Sequence, residues 1–155
     1  MFNQFFPRSI DNTYRGRKHA LWFFTVVVFV KMLQSLLVIF GGDSVVSSAD
    51  GIPLDTFAPT AAQTIVGVWA QLGLYRLSIY LLCVLVLVRY RSAVPFMYAL
   101  LIIQYLVGQL IFEFVPIVRV GAPLGPVVNL TLFALMIVGL TLSLWSRSNS
   151  PIKES

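Results

Sequence analysis

Four long apolar runs constrain the fold of this chain more than any other feature. The runs cover residues 20–40, 62–88, 94–115 and 127–145, with short polar segments between them. A helix needs about 20 residues, within a range of about 17–25, to cross roughly 30 Å of hydrocarbon, and each run is long enough. Apolar and polar residues do not alternate along the runs, which excludes barrel strands and leaves helices. The pattern predicts an all-α integral membrane four-helix bundle.

Composition supports a membrane protein built as one compact unit. Of the 155 residues, 58% are hydrophobic and 11% are charged, whereas a soluble domain carries about 25% charged residues. We divide the chain into a basic and aromatic interfacial segment (1–19), a transmembrane domain (20–146) and a tail (147–155). The net charge of +5 does not indicate nucleic-acid binding, because the cations are confined to short segments beside apolar runs.

The basic residues predict the orientation of the bundle. Eight of them fall in segments that would face one side of the membrane: Arg8, Arg15, Arg17, Lys18, Arg89, Arg91, Arg147 and Lys153. The segments on the other side hold Arg119 together with Asp43, Asp50 and Asp55. Because loops rich in Lys and Arg stay inside, we expect both termini in the cytoplasm and a multi-pass protein of the cell inner (plasma) membrane. The first run exceeds the apolar core of about 7–15 residues of a signal peptide, so we expect it to remain as a span.

The N-terminal segment combines its cations with Phe2, Phe5, Phe6 and Ile10. This mixture is typical of an anchor on the cytoplasmic leaflet, where each basic residue near anionic lipid contributes about 1 kcal/mol. The alternative is a docking arm for a protein partner. We expect the anchor, with membrane lipids as its partner.

Two further cations, Lys31 and Arg76, lie near the middle of the first and second runs. A charge at that depth costs about 2.5–3.5 kcal/mol on insertion scales and usually lines a cavity, forms an ion pair or contacts a partner. At about 1.5 Å per residue, Lys31 lies roughly 16 Å from the start of its run and Arg76 roughly 18 Å from the end of its own. The two cations are therefore predicted at a similar depth.

Polar side chains accompany both cations on their helices. Gln34 and Ser35 share a face with Lys31, which we expect to point inward. A stripe through the second helix contains Trp69, Gly73, Arg76, Tyr80 and Cys83, and its glycine permits a close helix approach. A separate polar stripe contains Gln71, Tyr75 and Ser78. Because the second helix is polar on two sides, we expect it to be the buried centre of the bundle.

The third and fourth helices differ in polarity. On the third, Tyr105, Gln109 and Glu113 follow one another at one-turn spacing, and Glu113 is the only acid within a predicted span. We expect a buried Arg76–Glu113 pair with Gln109 between them, which leaves Lys31 without a counter-charge. Between residues 130 and 144 the fourth helix has only hydroxyls as polar groups. We expect it to be peripheral, facing lipid or a second copy.

No constellation in the sequence indicates a cofactor, a metal or a catalytic residue. Haem ligation by two histidines is excluded by the single His19, and zinc needs three or four clustered ligands. Cys83 is a lone cysteine and is most simply a small buried side chain. The layout, with close-spaced spans, inside termini, a basic start and a charge in an early span, resembles small four-span bacterial inner-membrane proteins of unassigned function, including DoxX-like ones. That resemblance covers layout only and implies no site residue.

Two functions are compatible with these features. The first is a non-enzymatic accessory or assembly subunit of a membrane complex, or a homo-oligomer. The alternative is a binder or transporter of a small anionic or lipid-like ligand. Its mid-membrane polar pocket would contain Lys31, Gln34, Arg76, Tyr80, Gln109 and Glu113. A ligand-sized cavity shared by the two cations would favour the second function, whereas cations buried against local partners would favour the first.

Overall fold

The computed structural model describes residues 12, 14 and 16–145, and it contains no strand within them. Four long helices make up the fold: α1 (Lys18–Phe40), α2 (Pro59–Arg89), α3 (Val94–Phe114) and α4 (Leu124–Leu144). Each is long and apolar enough to cross a membrane. The prediction of an all-α chain with four such helices is confirmed for the described residues.

Some predicted segments lie outside the described residues. They are the tail (147–155) and most of the interfacial segment, including Phe2, Phe5, Phe6 and Ile10. The anchor and the docking arm therefore both stay predictions.

Prolines account for several helix boundaries. Pro59 occupies the first turn of α2, which begins there and not at residue 62, because a proline in that position gives up no helical hydrogen bond. Pro95 lies in the first turn of α3 in the same way. This helix ends at Phe114, just before Pro116, which could not continue the hydrogen-bonding ladder.

The packing order places α1 and α4 at the centre. Helix α1 packs most extensively on α2 and α4, and α3 packs on α4, whereas α2 and α3 touch only slightly. The expectation that α2 is the centre is therefore wrong, and so is a peripheral α4, which buries Leu132, Met136, Gly139 and Ser143. A helix–helix contact in lipid needs close packing more than polar groups, and small residues such as Gly139 supply it.

The end of the bundle where α1 begins and α4 ends, called the basic end, carries Arg17, Lys18, Arg89 and Arg91. Three helices are joined there by one residue of α3, Tyr98. Its hydroxyl donates to the Ala20 carbonyl at 2.7 Å, and its ring meets Phe24 edge-on with centroids 4.9 Å apart. Gly139 of α4 leaves room for this hydroxyl, since a Cβ there would overlap it.

Aromatic residues surround the basic end. Trp22 and Trp145 are exposed there, and the Arg17 guanidinium lies 4.6 Å from the centre of the Trp145 ring. The Tyr14 hydroxyl donates to Ser143 Oγ at 2.9 Å, and burial raises the pKa of Tyr14 above its ordinary value. Tyr14 therefore stays protonated and keeps donating at neutral pH.

The opposite end, called the acidic end, consists of segments 41–58 and 115–123 and carries Asp43, Asp50 and Asp55. The first segment forms short helical turns, including a π-helical turn at Val45–Ala49, and buries Val46 and Ile52. Gly51 has φ +73° and its carbonyl accepts the Val120 N–H at 2.8 Å. Only glycine adopts that backbone readily. The Gly51–Val120 hydrogen bond joins the two segments.

Candidate functional site

A cavity of about 370 Å³ lies between the four helices and segment 41–58 of the acidic end, which we call the acidic-end loop. Its volume falls within the range of about 300–1,000 Å³ that small-molecule pockets span. Both mid-helix cations line it, Lys31 from α1 and Arg76 from α2. The amides and hydroxyls in its wall come from all four helices: Gln34, Ser35, Tyr80, Gln104, Tyr105, Gln109 and Asn129. We call this space the polar cavity.

Lys31 has a neutral partner on the last helix. Its half-buried ammonium donates to Asn129 Oδ1 at 2.5 Å, across the contact of α1 with α4. The neighbouring Ser35 donates back to the Lys31 carbonyl at 3.0 Å, so that hydroxyl serves its own helix. A lysine ammonium carries three N–H donors. The amide therefore occupies one donor and leaves the positive charge without a counter-charge.

Arg76 faces the same space from α2 and is exposed along its open side. Arg76 and Lys31 carry like charges and line the same cavity, so they repel each other. Within residues 12, 14 and 16–145, no carboxylate oxygen lies within 4.0 Å of either cation. The polar cavity is therefore positively charged at mid-helix depth.

The predicted Arg76–Glu113 pair does not form. Glu113 is exposed and does not line the polar cavity. The reason lies in helix geometry, because four residues exceed one turn of 3.6 by about 40°, and Glu113 therefore lies about 80° around the helix from Tyr105. The wall that α3 gives to the cavity runs instead through Leu101, Tyr105, Gly108 and Phe112.

The structure brings together most of the residues singled out from the sequence. Lys31, Gln34, Arg76, Tyr80 and Gln109 all line the polar cavity. Their part in binding stays a prediction.

The predicted pocket omitted several polar residues of this site, among them Asn129 and Asp50. Asn129, the partner of Lys31, is the one amide in the fourth apolar run, and that singularity was a usable signal. Asp50 lies in the loop, where nothing local links it to a helix. Its Oδ2 accepts the Trp69 indole N–H at 2.9 Å.

The acidic-end loop lies against the polar cavity. Val45, Ala49 and Asp50 form its wall there. The loop also lies directly on α4, because a Cβ on Gly125 would stand 2.7 Å from the Ala49 carbonyl oxygen and 2.9 Å from Asp50 Oδ1. Together with the hydrogen bond from Trp69 of α2 to Asp50, these contacts hold the loop against α2 and α4.

The side between α2 and α3 is open. These helices touch only slightly, and their lining residues Arg76, Gln104 and Gln109 are exposed. From α1 and α4, the polar lining residues Lys31 and Asn129 are half-buried, whereas the apolar lining residues Leu37, Leu124 and Val128 are exposed. Since the exposed surfaces of the four helices are mostly apolar, this opening lies on a side of the bundle that a membrane would surround.

The chemistry of the polar cavity suits an anion better than a metal. Ammonium, guanidinium, amide and hydroxyl donors converge at the level of Lys31 and Arg76. In the described part of the chain, no group of three His, Cys, Asp or Glu side chains is placed to hold a metal ion.

No family model matches the chain, and no curated protein or solved structure matches it either. The resemblance in layout to small four-span inner-membrane proteins therefore stays an expectation.

Proposed function

We propose that this protein is a non-enzymatic membrane protein that binds a small anionic ligand in the polar cavity. The observation that carries the proposal is the position of Lys31 and Arg76. They come from different helices, line one space and have no carboxylate partner in the described chain. An anion between them would relieve their mutual repulsion and offset the cost of two charges in a low-dielectric environment.

The two cations offer complementary contacts to such an anion. The Arg76 guanidinium presents a planar fork that pairs with two oxygens of a phosphate or carboxylate. The Lys31 ammonium is a point charge, already oriented by Asn129 at 2.5 Å. Charge-assisted hydrogen bonds of this kind are roughly twice as strong as neutral ones. Gln34 and Tyr80 line the same space and add neutral donors.

Native mass spectrometry tests the proposal. The full chain would be released from nanodiscs, and the anionic molecules retained by each protein would be counted. We expect Lys31→Met and Arg76→Leu each to lose most of the molecules that wild type retains. Lys18→Met is the matched control, because it removes the same charge from an exposed position at the basic end. Equal retention by wild type and both cavity variants would contradict the proposal.

A second candidate is an assembly subunit or a homo-oligomer. It is supported by the stripe of Gln71, Tyr75 and Ser78, which is exposed and lies on the face of α2 opposite Arg76. Gln71 Nε2 donates to the Tyr75 hydroxyl at 3.1 Å, so these groups satisfy each other where none of the four described helices covers them. Polar side chains in lipid commonly join helices of separate subunits.

The same mass spectra test this candidate through the number of chains in each particle. We expect Gln71→Leu/Tyr75→Leu to dissociate an oligomer without altering anion retention. Thr25→Val is the control, since this exposed threonine donates to its own helix at Leu21. A monomeric wild type with no second subunit would contradict this candidate and leave the first in place.

A further inference from the structure

The polar cavity is covered by the loop at one boundary and is open between α2 and α3 at another, and the difference bears on how a ligand can reach it. At the acidic end, the loop is held by Trp69, by the close contact at Gly125 and by the Gly51–Val120 hydrogen bond of 2.8 Å. These contacts hold the loop over the acidic end of the polar cavity. The gap between α2 and α3 leads to the apolar outer surface of the bundle.

Polar side chains mark this gap along its length. Gln104 and Gln109 of α3 are exposed there, facing the same cavity as Arg76. At about 1.5 Å per residue they stand roughly 7.5 Å apart along the helix, with Gln109 nearer the acidic end. Counted from the start of α3 at the basic end, Gln104 lies roughly 15 Å and Gln109 roughly 22.5 Å along the helix, so the two amides bracket the level of Arg76. A polar group in the gap could hydrogen-bond to them at that level.

Gly108 keeps the gap clear between those amides. It lines the polar cavity, and no atom lies within 4 Å of the position that a Cβ would take. The glycine is not needed for helix packing, since nothing approaches it. The open space beside its Cα is part of the gap between α2 and α3.

The volume of the polar cavity limits the size of its occupant. About 370 Å³ is near the lower limit of about 300–1,000 Å³ for small-molecule pockets. Such a space accepts a head group and not a whole two-chain lipid. A lipid bound there would have to leave its chains outside, which requires an open side facing the bilayer.

We propose that the ligand is an anionic membrane lipid that enters sideways between α2 and α3, its phosphate or carboxylate head reaching Lys31 and Arg76 while its chains stay in the bilayer. This proposal rests on the proposed function, namely anion binding in the polar cavity. It adds the source of the anion and its route.

Gly108→Leu tests the route. A Cβ at this position meets no atom within 4 Å, so the added side chain begins in the open gap, where it would obstruct the passage. Gly67→Leu is the matched control, because Gly67 of α2 also has no atom within 4 Å of its Cβ position and does not line the cavity. Both substitutions favour the helix, so both variants should fold.

The probe is phosphatidic acid, a phosphate monoester lipid, placed in phosphatidylcholine nanodiscs with the full chain. Retention is read by native mass spectrometry. We expect wild type and Gly67→Leu to retain it equally and Gly108→Leu to lose about tenfold in affinity. Inorganic phosphate added to the aqueous phase should not displace it.

Other results would overturn the route, the lipid source or the proposed function. Retention of phosphatidic acid by Gly108→Leu at the wild-type level would overturn the route. Binding of inorganic phosphate in its place, lost in Lys31→Met, would overturn the lipid source while the proposed function stands. Retention that survives both Lys31→Met and Arg76→Leu, or the binding of neither probe by wild type, would overturn the proposed function and this proposal with it.

Discussion

Lys31 shows how a charge can be held at mid-helix depth without an acid. Its partner Asn129 supplies an amide oxygen at 2.5 Å, which orients the ammonium and leaves its charge available. A carboxylate in the same place would neutralise the cation and remove its attraction for an anion. An amide is therefore the partner that suits a ligand site, whereas an acid would suit a purely structural pair.

Because Lys31 contacts Asn129, we expect the effects of substituting the two residues on thermal stability to be non-additive. We expect Asn129→Leu to lower the thermal stability of the protein in uncharged detergent, since hydrogen bonds to charged groups contribute about 1.5–3 kcal/mol. The Lys31→Met/Asn129→Leu double variant should lose less than Asn129→Leu alone, because it removes both partners together. Additive losses across the two single variants and the double variant would contradict a direct interaction.

Two glycines predict opposite responses to the same substitution. Gly139→Ala places a methyl group against the Tyr98 hydroxyl and should disturb its bond to Ala20, at a cost of about 1–3 kcal/mol for overpacking. Gly108→Ala meets no atom within 4 Å, and it should stabilise α3 by up to about 1 kcal/mol. Thermal unfolding of both variants checks this. A Gly139→Ala protein as stable as wild type would mean that Tyr98 does not need this space.

For single residues, the sequence predicted the depth in the membrane better than the contact partners. The rise per residue was enough to predict Lys31 and Arg76 at a common level, and both line one cavity. The partner of Lys31 is 98 residues away, and no local rule relates residues that far apart. The Trp69–Asp50 bond was missed for the same reason, since a loop conformation brings it about.

Among the helices, the predicted faces held where the spacing alternates between three and four residues. On α2 that alternation keeps Gly73, Arg76 and Tyr80 on the cavity side. On α3 a series of steps of four residues was followed to Glu113, and each step turned about 40° further from the cavity. Packing order was also beyond the sequence, because exposed and buried faces are both apolar in lipid.

The acidic end predicts a difference between two glycines with positive φ. Gly51 and Gly121 have φ +73° and +77°, so alanine at either costs about 1–2 kcal/mol of backbone strain. Only at Gly51 would the new Cβ also crowd a neighbour, the Val120 carbonyl oxygen at 3.0 Å.

Hydrogen exchange measures that difference. In Gly51→Ala we expect faster exchange at the amides of both Ile52 and Val120, which donate to Val46 and Gly51. In Gly121→Ala, acceleration should be confined to Val120. Unchanged exchange at Ile52 in Gly51→Ala would show that the loop does not depend on this contact.

The whole molecule has an unusual relation between chain order and packing order. Helices α2 and α3 follow each other closely in sequence and touch only slightly, while α1 and α4 lie at opposite ends of the chain and pack together. The opening of the polar cavity lies between the two consecutive helices. The short turn Arg91–Ala93 at the basic end keeps them near each other there.

The orientation of the bundle in the membrane can be tested by cysteine labelling. With Cys83 replaced by alanine, we expect Ser48→Cys at the acidic end to react with an impermeant maleimide in intact cells. We expect His19→Cys at the basic end to react only after the membrane is permeabilised. Both positions are exposed, and the expectation follows from the excess of Lys and Arg at the basic end. The reverse pattern would invert the orientation.

The bond between Lys31 and Asn129 also orders events in time. The two residues are 98 positions apart, so a ribosome adding about 5–20 residues per second needs roughly 5–20 s to go from one to the other. During that interval the amide partner of Lys31 has not yet been made. A nascent chain halted before Asn129 keeps the Lys31 charge unpaired in the membrane. The arrival of the last helix therefore supplies the partner that Lys31 lacks until then.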